Sequence, residues 1–358
     1  YYTSFIQATA TLGLLLSLIV ITFTQIYVNA GWGGGGDGTP SAFASWGWRI
    51  PFLFSFVLLV ISLYIRLQMN ESPVFMKIKQ EGSLSKAPLA EAFARWKNAK
   101  IALIALVGLV AGQAVVWYTG QFYALFFLQN VLKVDNFSAN VLVAWSLILG
   151  SPFFIFFGWL SDRIGRKPII LGGCILAAIA IIPLFKLLVA TANPALAAAQ
   201  QRTTVEVIAD PADCSFQFNP TDTAKFSSSC DVAKALLAKS SVMTTNVAAA
   251  AGATAKVRVA GKEFEATAPD FGPSVAAALL AAGYPDPTHP EVVKIAVDPG
   301  AGLANIARLF DVFTMQRLTI IAILTVLVIL VTMVYGPMAA ALVELFPTRI
   351  RYSGMSLP

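Results

Sequence analysis

The stretch Gly158-Trp-Leu-Ser-Asp-Arg-Ile-Gly-Arg-Lys-Pro168 decides the fold, because it places several charges between two long apolar segments. A tight turn between antiparallel helices favours glycine where backbones approach closely. Asp162 can cap a helix or oppose the dipole at a helix N-terminus. Arg163, Arg166 and Lys167 are typical of a cytoplasmic membrane turn. The stretch therefore predicts a short turn between two membrane-spanning helices.

The composition of the whole chain indicates a lipid environment. Hydrophobic residues make up 57% of the chain and charged residues 12%, whereas a soluble domain has about 25% charged residues. The net charge is +6, but the basic residues lie between apolar segments, which favours a membrane protein over nucleic-acid binding. The chain begins at Tyr1 with no charged segment before its first apolar run, so that run is not a signal peptide. We expect both ends to be truncations of a longer chain.

Six segments have the roughly 20 mostly apolar residues that a spanning helix needs: 4–28, 49–68, 101–130, 138–160, 168–189 and 316–344. Basic residues recur in every second connection, at 66–100, at 161–167 and in the C-terminal tail, whereas 131–137 has only Lys133. The positive-inside rule therefore places both chain ends in the cytoplasm.

The segment 190–313 is long, polar and charged. Long translocated domains escape the positive-inside rule, so we expect this insert to be extracytoplasmic. Alternation in 254–259 and 262–267 predicts two strands, and 230–240 and 274–282 are typical of short helices. These patterns predict a small α+β domain, with disorder as the alternative.

Cys214 and Cys230 lie in this insert. An oxidising compartment favours a disulfide between them, worth roughly 3 kcal/mol in the chain-entropy model; two free thiols are the alternative. Cys174 lies in an apolar run, and His289 is the single histidine. No metal-ligand spacing is present, so the sequence predicts neither a metal site nor a cofactor.

Several motifs resemble those of the major facilitator superfamily. The turn resembles the loop motif G-x-x-x-D-R-x-G-R-[KR], Asn70-Glu71-Ser72-Pro73 resembles P-E-S-P with Asn70 replacing the first proline, and Glu344-x-x-Pro347-x-x-x-Arg351 resembles E-x-x-P-x-x-x-R. With Gly47-Trp48-Arg49-Ile50-Pro51-Phe52, the set is most similar to the metabolite:proton symporter branch. Members of that branch carry shikimate, 2-oxoglutarate, citrate, or proline and betaine.

The resemblance implies an all-α polytopic membrane protein of about six transmembrane helices, helices five to ten of twelve, with the small α+β insert. It divides the chain into five parts. Residues 1–68 are the last two helices of an N-terminal bundle, 69–100 a cytoplasmic linker, and 101–189 the first three helices of a C-terminal bundle. Residues 190–313 form the insert, and 314–358 hold a final helix with its cytoplasmic motif. It implies a monomer in the cell inner membrane.

The resemblance also implies a conformational latch. Its members in the turn are Asp162, Arg163, Gly165 and Arg166, and its cytoplasmic partners are Glu344 and Arg351. Arg166 and Glu344 form the pair that we expect to matter first. The simpler alternative is a capped turn that anchors the membrane topology.

Polar residues inside spans are costly, so their placement is informative. The candidates for substrate binding are Gln7 and Thr11 on the first span, Gln113, Trp117 and Gln121 on the third, and Tyr335 on the sixth. Their hydrogen bonds and ring faces suit a small polar solute. The alternative is that they bond neighbouring helices. Gly120 allows the close approach of a solute or of another helix.

We therefore expect a secondary active transporter for a small organic acid or zwitterion, coupled to protons and working by alternating access. Because no ionisable residue lies deep inside the six spans, we expect the proton-carrying group outside this chain. A membrane-anchored sensor whose insert recognises a ligand is the alternative. An enzyme needs a converging nucleophile, base or metal, and a channel needs rings of charge; the sequence has neither pattern.

Overall fold

The computed structural model describes residues 2–32, 41–69, 73–82, 87–215, 227–285, 312–346 and 350–355. It divides into two compact units. The first comprises Tyr1–Ala124, Asn140–Leu184 and Ala296–Pro358, and the second comprises Leu125–Ala139 and Phe185–Ile295.

The described chain contains six helices that are long and apolar enough to cross a membrane: Ser4–Asn29, Phe43–Gln68, Trp96–Val131, Asn136–Ile164, Arg166–Ala192 and Met315–Leu345. They confirm the six predicted spans, although the third begins at Trp96 rather than near residue 101. Shorter helices occupy Pro73–Gln80, Pro88–Phe93 and Arg351–Met355. The predicted motif at residues 70–73 lies outside the described residues except for Pro73, which begins a helix.

The sixth span packs closely against three other spans. Within it, Val331 faces Gly120 of the third span, Val328 faces Gly150 of the fourth, and Val334 faces Gly173 of the fifth. A methyl group added to any of these three glycines would lie less than 3.0 Å from the facing valine. Small residues that let backbones approach are the main means of helix association in lipid. Gly120 therefore admits another helix, which is one of the two roles predicted for it.

The third span is not a regular α-helix. Three π-helical turns interrupt it, at Leu106–Val110, Tyr118–Tyr123 and Phe127–Val131. Such turns are rare and occur frequently at functional sites. The second of them contains two of the residues singled out in the sequence, Gly120 and Gln121.

The second span has a different environment. No residue of its α-helix, Arg49–Gln68, is buried, although all of these residues are described. A helix that is apolar all round and has none of its residues buried in protein suits contact with lipid.

The insert contains a four-stranded sheet, which confirms the predicted α+β class. Its strands are β1 (Val205–Ala209), β2 (Thr244–Ala248), β3 (Lys256–Val259) and β4 (Lys262–Glu265), in the spatial order β2-β1-β3-β4. β1 and β2 run parallel, and the other neighbours run antiparallel. A parallel pair needs a crossover connection, and the helix Ser229–Lys239 lies in it. Further helices occupy Pro194–Arg202 and Phe271–Ala281.

One face of this sheet is apolar and the other is charged. Val205 and Val207 of β1 and Val257 and Val259 of β3 are buried, as are Leu237, Val275 and Leu279 of the helices. Three of the alternate residues, Glu206, Lys256 and Arg258, carry charge. Arg258 pairs with Glu206 at 2.8 Å and with Glu263 at 2.6 Å. The alternation of apolar and polar residues along these strands follows from the difference between the two faces of the sheet.

The β3–β4 turn confirms the predicted strand pair. Ala260 and Gly261 both have positive φ, 47° and 84°, as a two-residue hairpin turn requires. The insert also carries a disulfide between Cys214 and Cys230, which are 16 residues apart. Beside it, the buried Asp231 accepts hydrogen bonds from the backbone N–H and the hydroxyl of Ser215.

Candidate functional site

The turn between the fourth and fifth spans is one residue long. The helix Pro152–Ile164 ends at Gly165, which has φ 94° and donates its N–H to the carbonyl of Ser161 at 3.1 Å. Only glycine adopts this conformation without strain. The next helix begins at Arg166, so Asp162 and Arg166 lie on either side of the turn. Nη2 of Arg166 lies 3.6 Å from Oδ1 of Asp162.

Arg166 joins this turn to the end of the sixth span. Its guanidinium forms one ion pair with Asp162 and another with Glu344. The Arg166 side chain is 24% exposed and that of Glu344 is 61% exposed. Exposed pairs of this kind contribute at most about 1 kcal/mol to stability. The significance of the pair therefore lies in the two elements that it connects.

Two further residues of the predicted latch have other contacts. The guanidinium of Arg163 lies 4.1 Å from the centre of the Trp159 ring. Arg351 donates from Nε to the carbonyl of Phe346 at 3.1 Å. Neither arginine forms an ion pair with another described residue. The structure thus brings together Asp162, Arg166 and Glu344 and leaves Arg163 and Arg351 beside this set.

Two of the predicted substrate residues meet across the first and third spans. Gln121 donates from Nε2 to Oγ1 of Thr11 at 3.1 Å, and both residues are buried. The pairing supports the role in helix association that we set against substrate binding.

A second pair joins the third and sixth spans. The rings of Trp117 and Tyr335 lie 5.8 Å apart, and Tyr335 also contacts Phe154 of the fourth span at 6.2 Å. The sequence did not single out Phe154, because a phenylalanine in an apolar run carries no signal beyond burial. The cluster places an indole and a phenol among buried apolar residues.

Two polar atoms of these pairs are buried without a partner among the described residues. They are Nε1 of Trp117 and Oε1 of Gln121. Gln7 and Gln113 are also buried, 8% and 7% exposed, and belong to neither pair. Buried polar groups are nearly always hydrogen-bonded, to protein or to water. The two unpartnered atoms therefore have unused capacity to bond a small polar molecule or ordered water.

Residues 2–200 match the family model described as Major Facilitator Superfamily. No solved structure matches the chain.

Curated relatives match shorter stretches. The provisionally named transporter YdfJ of Escherichia coli (strain K12) is 35% identical over 119 residues, 33% of this chain and 27% of that protein. The shikimate transporter of the same strain is 31% identical over 142 residues, 38% of this chain and 31% of that protein. A provisionally named proline/betaine transporter of Staphylococcus haemolyticus (strain JCSC1435) is 28% identical over 128 residues, 35% of this chain and 26% of that protein.

The matched stretches thus span about a quarter to a third of these relatives. The family model, in contrast, covers more than half of this chain and includes the first five spans and the charged turn. The chain is a multi-pass membrane protein that belongs to the major facilitator superfamily.

Proposed function

We propose that the protein containing this chain is a secondary active transporter that moves a small organic acid or zwitterion across the cell inner membrane by alternating access, coupled to protons. The observation that carries the proposal is the ion-pair set of Asp162, Arg166 and Glu344. This set ties a helix turn to the end of another span in a family member. The relatives named as shikimate and proline/betaine transporters motivate the substrate class.

The ion-pair set suits a latch because its charges lie on separate elements. Asp162 and Arg166 flank the turn at the ends of the fourth and fifth spans, and Glu344 belongs to the last helical turns of the sixth span. If the sixth span moves relative to the turn, Arg166 loses Glu344 but keeps Asp162. The pair then contributes to only one conformation, which is the condition for a contact to bias a two-state equilibrium. Arg163 and Arg351 are proposed to support this arrangement through their own contacts with Trp159 and Phe346.

The proposed substrate wall uses polar side chains of the first, third and sixth spans, and two of its buried atoms, Nε1 of Trp117 and Oε1 of Gln121, lack partners among the described residues. The amides of Gln7, Gln113 and Gln121 offer donors and acceptors, Trp117 offers an N–H, and Tyr335 offers a phenol and a ring face. Thr11 positions Gln121 through its hydrogen bond. The described spans hold no ion pair at this wall, which suits recognition by hydrogen bonds and stacking rather than by a fixed charge.

The latch is tested by exchanging its charges in the full-length protein. We expect Arg166→Glu and Glu344→Arg each to lower the initial rate of uptake about fivefold, because ~1 kcal/mol of ion pairing is lost from one conformation. The double variant should restore part of the rate, since the pair re-forms with the signs reversed while Asp162 loses its cation. Lys186→Glu, on the same span as Arg166, is the matched control and should leave uptake unchanged. Single variants that transport at the wild-type rate would refute the latch.

The substrate is tested by competition. Unlabelled shikimate, 2-oxoglutarate, citrate, proline and betaine are added in turn to an uptake assay, and an imposed pH gradient is applied or collapsed. We expect one of these solutes to be transported, and its accumulation to require the inward proton gradient. Alanine at Gln113 and Trp117 should raise KM more than it lowers kcat, since both groups are proposed to bind the solute.

The membrane orientation is proposed from the charge pattern. It places the turn and both chain ends in the cytoplasm and the insert outside. A single cysteine placed at Lys262 in the insert of a cysteine-free full-length protein should react with a membrane-impermeant maleimide in intact cells. A cysteine placed at Lys79 should react only after the membrane is permeabilised. The reverse pattern would overturn the orientation.

A further inference from the structure

A cavity of about 790 Å³ lies between the third, fifth and sixth spans, next to the charged turn. Its volume is in the range of ligand sites, which are about 300–1,000 Å³. Its two ends differ in chemistry. One end is lined by charged residues that include Arg166, Lys167 and Glu344, and the other is lined by apolar residues that include Ile104, Gly108 and Leu171. Such a cavity suits an amphipathic molecule rather than a uniformly polar solute.

Within the described part of the chain, the charged end has one cation, Lys167, that is not in an ion pair. Arg166 engages the carboxylates of both Asp162 and Glu344. Lys167 is exposed, and among the described residues no carboxylate lies within 4.0 Å of its ammonium group. Basic groups between helices at a membrane surface bind the headgroups of anionic lipids, with about 1 kcal/mol for each basic residue. The carboxylates of Asp162 and Glu344 also line this end and are engaged by Arg166, so the ammonium of Lys167 is the group that a lipid phosphate would meet.

The apolar end reaches an exposed surface of the described helices. Ile104 and Leu171 line the cavity and are at the same time exposed on the surfaces of membrane-spanning helices. Gly108, between them in the wall, has open space beside it, because a methyl group added there would meet no atom within 4 Å. An acyl chain can therefore enter from the side and lie along this wall.

We propose that the cavity binds an anionic phospholipid of the surrounding membrane. Its phosphate pairs with the Lys167 ammonium, and one acyl chain lies along Ile104, Gly108 and Leu171. The bound lipid then lies beside the Arg166–Glu344 pair. This proposal stands apart from the proposed transport function, and its test needs no transported substrate.

The first test measures bound lipid by native mass spectrometry. The full-length protein is reconstituted in phosphatidylcholine bilayers that contain phosphatidylglycerol. We expect wild type to retain phosphatidylglycerol, and Lys167→Gln to retain about fivefold less, the effect of one basic residue. Lys167→Arg should retain it, because the charge is kept. Lys186→Gln, which removes a lysine elsewhere on the same span, should also retain it.

The second test uses Cys174 as a reporter. Cys174 lines the cavity, and it is the one cysteine of the chain that is not in the disulfide. We expect a maleimide to alkylate Cys174 more slowly in bilayers with phosphatidylglycerol than in pure phosphatidylcholine. Gly108→Leu fills the apolar end and should abolish this difference. Gly13→Leu, a matched change at another glycine with open space beside it, should preserve the difference.

Three results would overturn the proposal. The first is equal retention of phosphatidylglycerol by wild type, Lys167→Gln and Gly108→Leu. The second is retention of phosphatidylcholine in its place, which would show that no anion is selected. The third is equal protection of Cys174 in both bilayers, which would show that another part of the protein covers the cavity.

Discussion

The packing around the sixth span and the sheet of the insert are stabilised by different means. Around the sixth span, valines face glycines of three neighbouring helices. In the insert, a disulfide, the buried carboxylate of Asp231 and ion pairs around Arg258 accompany a small valine-rich core.

The difference follows from the two solvents. Lipid tails are as apolar as leucine, so helices in a bilayer gain little from burying apolar surface and depend on close packing. In water a small domain buries too little apolar surface to be very stable, and cross-links supply the remainder. The following predictions test this contrast, from the largest expected effect to the smallest.

Removal of the disulfide should destabilise the insert and leave the packing around the sixth span unaffected. Cys214→Ala combined with Cys230→Ala should destabilise the insert by roughly 3 kcal/mol in the chain-entropy model, and leave the sixth-span packing unchanged. Limited proteolysis of the full-length protein, followed by mapping of the cleavage sites, measures the effect. Cys174→Ala removes a thiol outside the bridge and serves as the control. Equal resistance of the insert with and without the bridge would contradict the contrast.

Gly120→Ala should destabilise the packing of the spans and leave the insert unchanged. The added methyl group would lie 2.6 Å from Cγ2 of Val331 and 3.1 Å from the carbonyl oxygen of Leu327. Overpacking of this kind costs about 1–3 kcal/mol. Gly13→Ala, where nothing lies within 4 Å, should be neutral or slightly stabilising, because alanine favours a helix. Thermal unfolding of the two purified variants gives the comparison, and equal midpoints would argue against close packing at Gly120.

Acid should lower the stability of the insert, and this is the smallest of the three effects predicted here. The N–H groups of Gly252 and Ala212 donate to the Asp210 carboxylate and hold its pKa below its usual range. The usual pKa is about 3.9 in an unfolded chain. The stabilisation is therefore complete above that pH and is lost as the pH falls through the lower pKa of the folded state.

This loss is measured as resistance to pepsin between about pH 2.5 and 5, a range that brackets the usual pKa of aspartate. Asp210→Asn should make the resistance of the insert less dependent on pH. An unchanged acid profile in this variant would remove Asp210 as the cause.

Much of the architecture was predictable because it depends on local pattern. The six spans follow from the length of apolar runs, and the β3–β4 pair follows from alternation on either side of Gly261. The ion pair between Arg166 and Glu344 was expected from resemblance to the superfamily, since nothing in the separation of these residues brings them together.

Other features depend on how helices are rotated against one another. The Gln121–Thr11 hydrogen bond and the Phe154–Tyr335 contact join helices far apart in sequence. The π-helical turns of the third span shift the direction of every side chain after them. An apolar run has no marker for such a turn, so the faces of this span were not predictable in detail.

The spacing of the three valines on the sixth span limits how that helix can turn. Val328, Val331 and Val334 follow one another at three-residue steps, and each step moves the side chain back by about 60° around the helix. The three side chains therefore point to three directions, and each lies against a glycine of a different helix. Rotation of the sixth span about its axis would press at least one valine into a neighbouring backbone. The contacts of the three valines thus fix the rotation of the sixth span about its own axis against the third, fourth and fifth spans at this level.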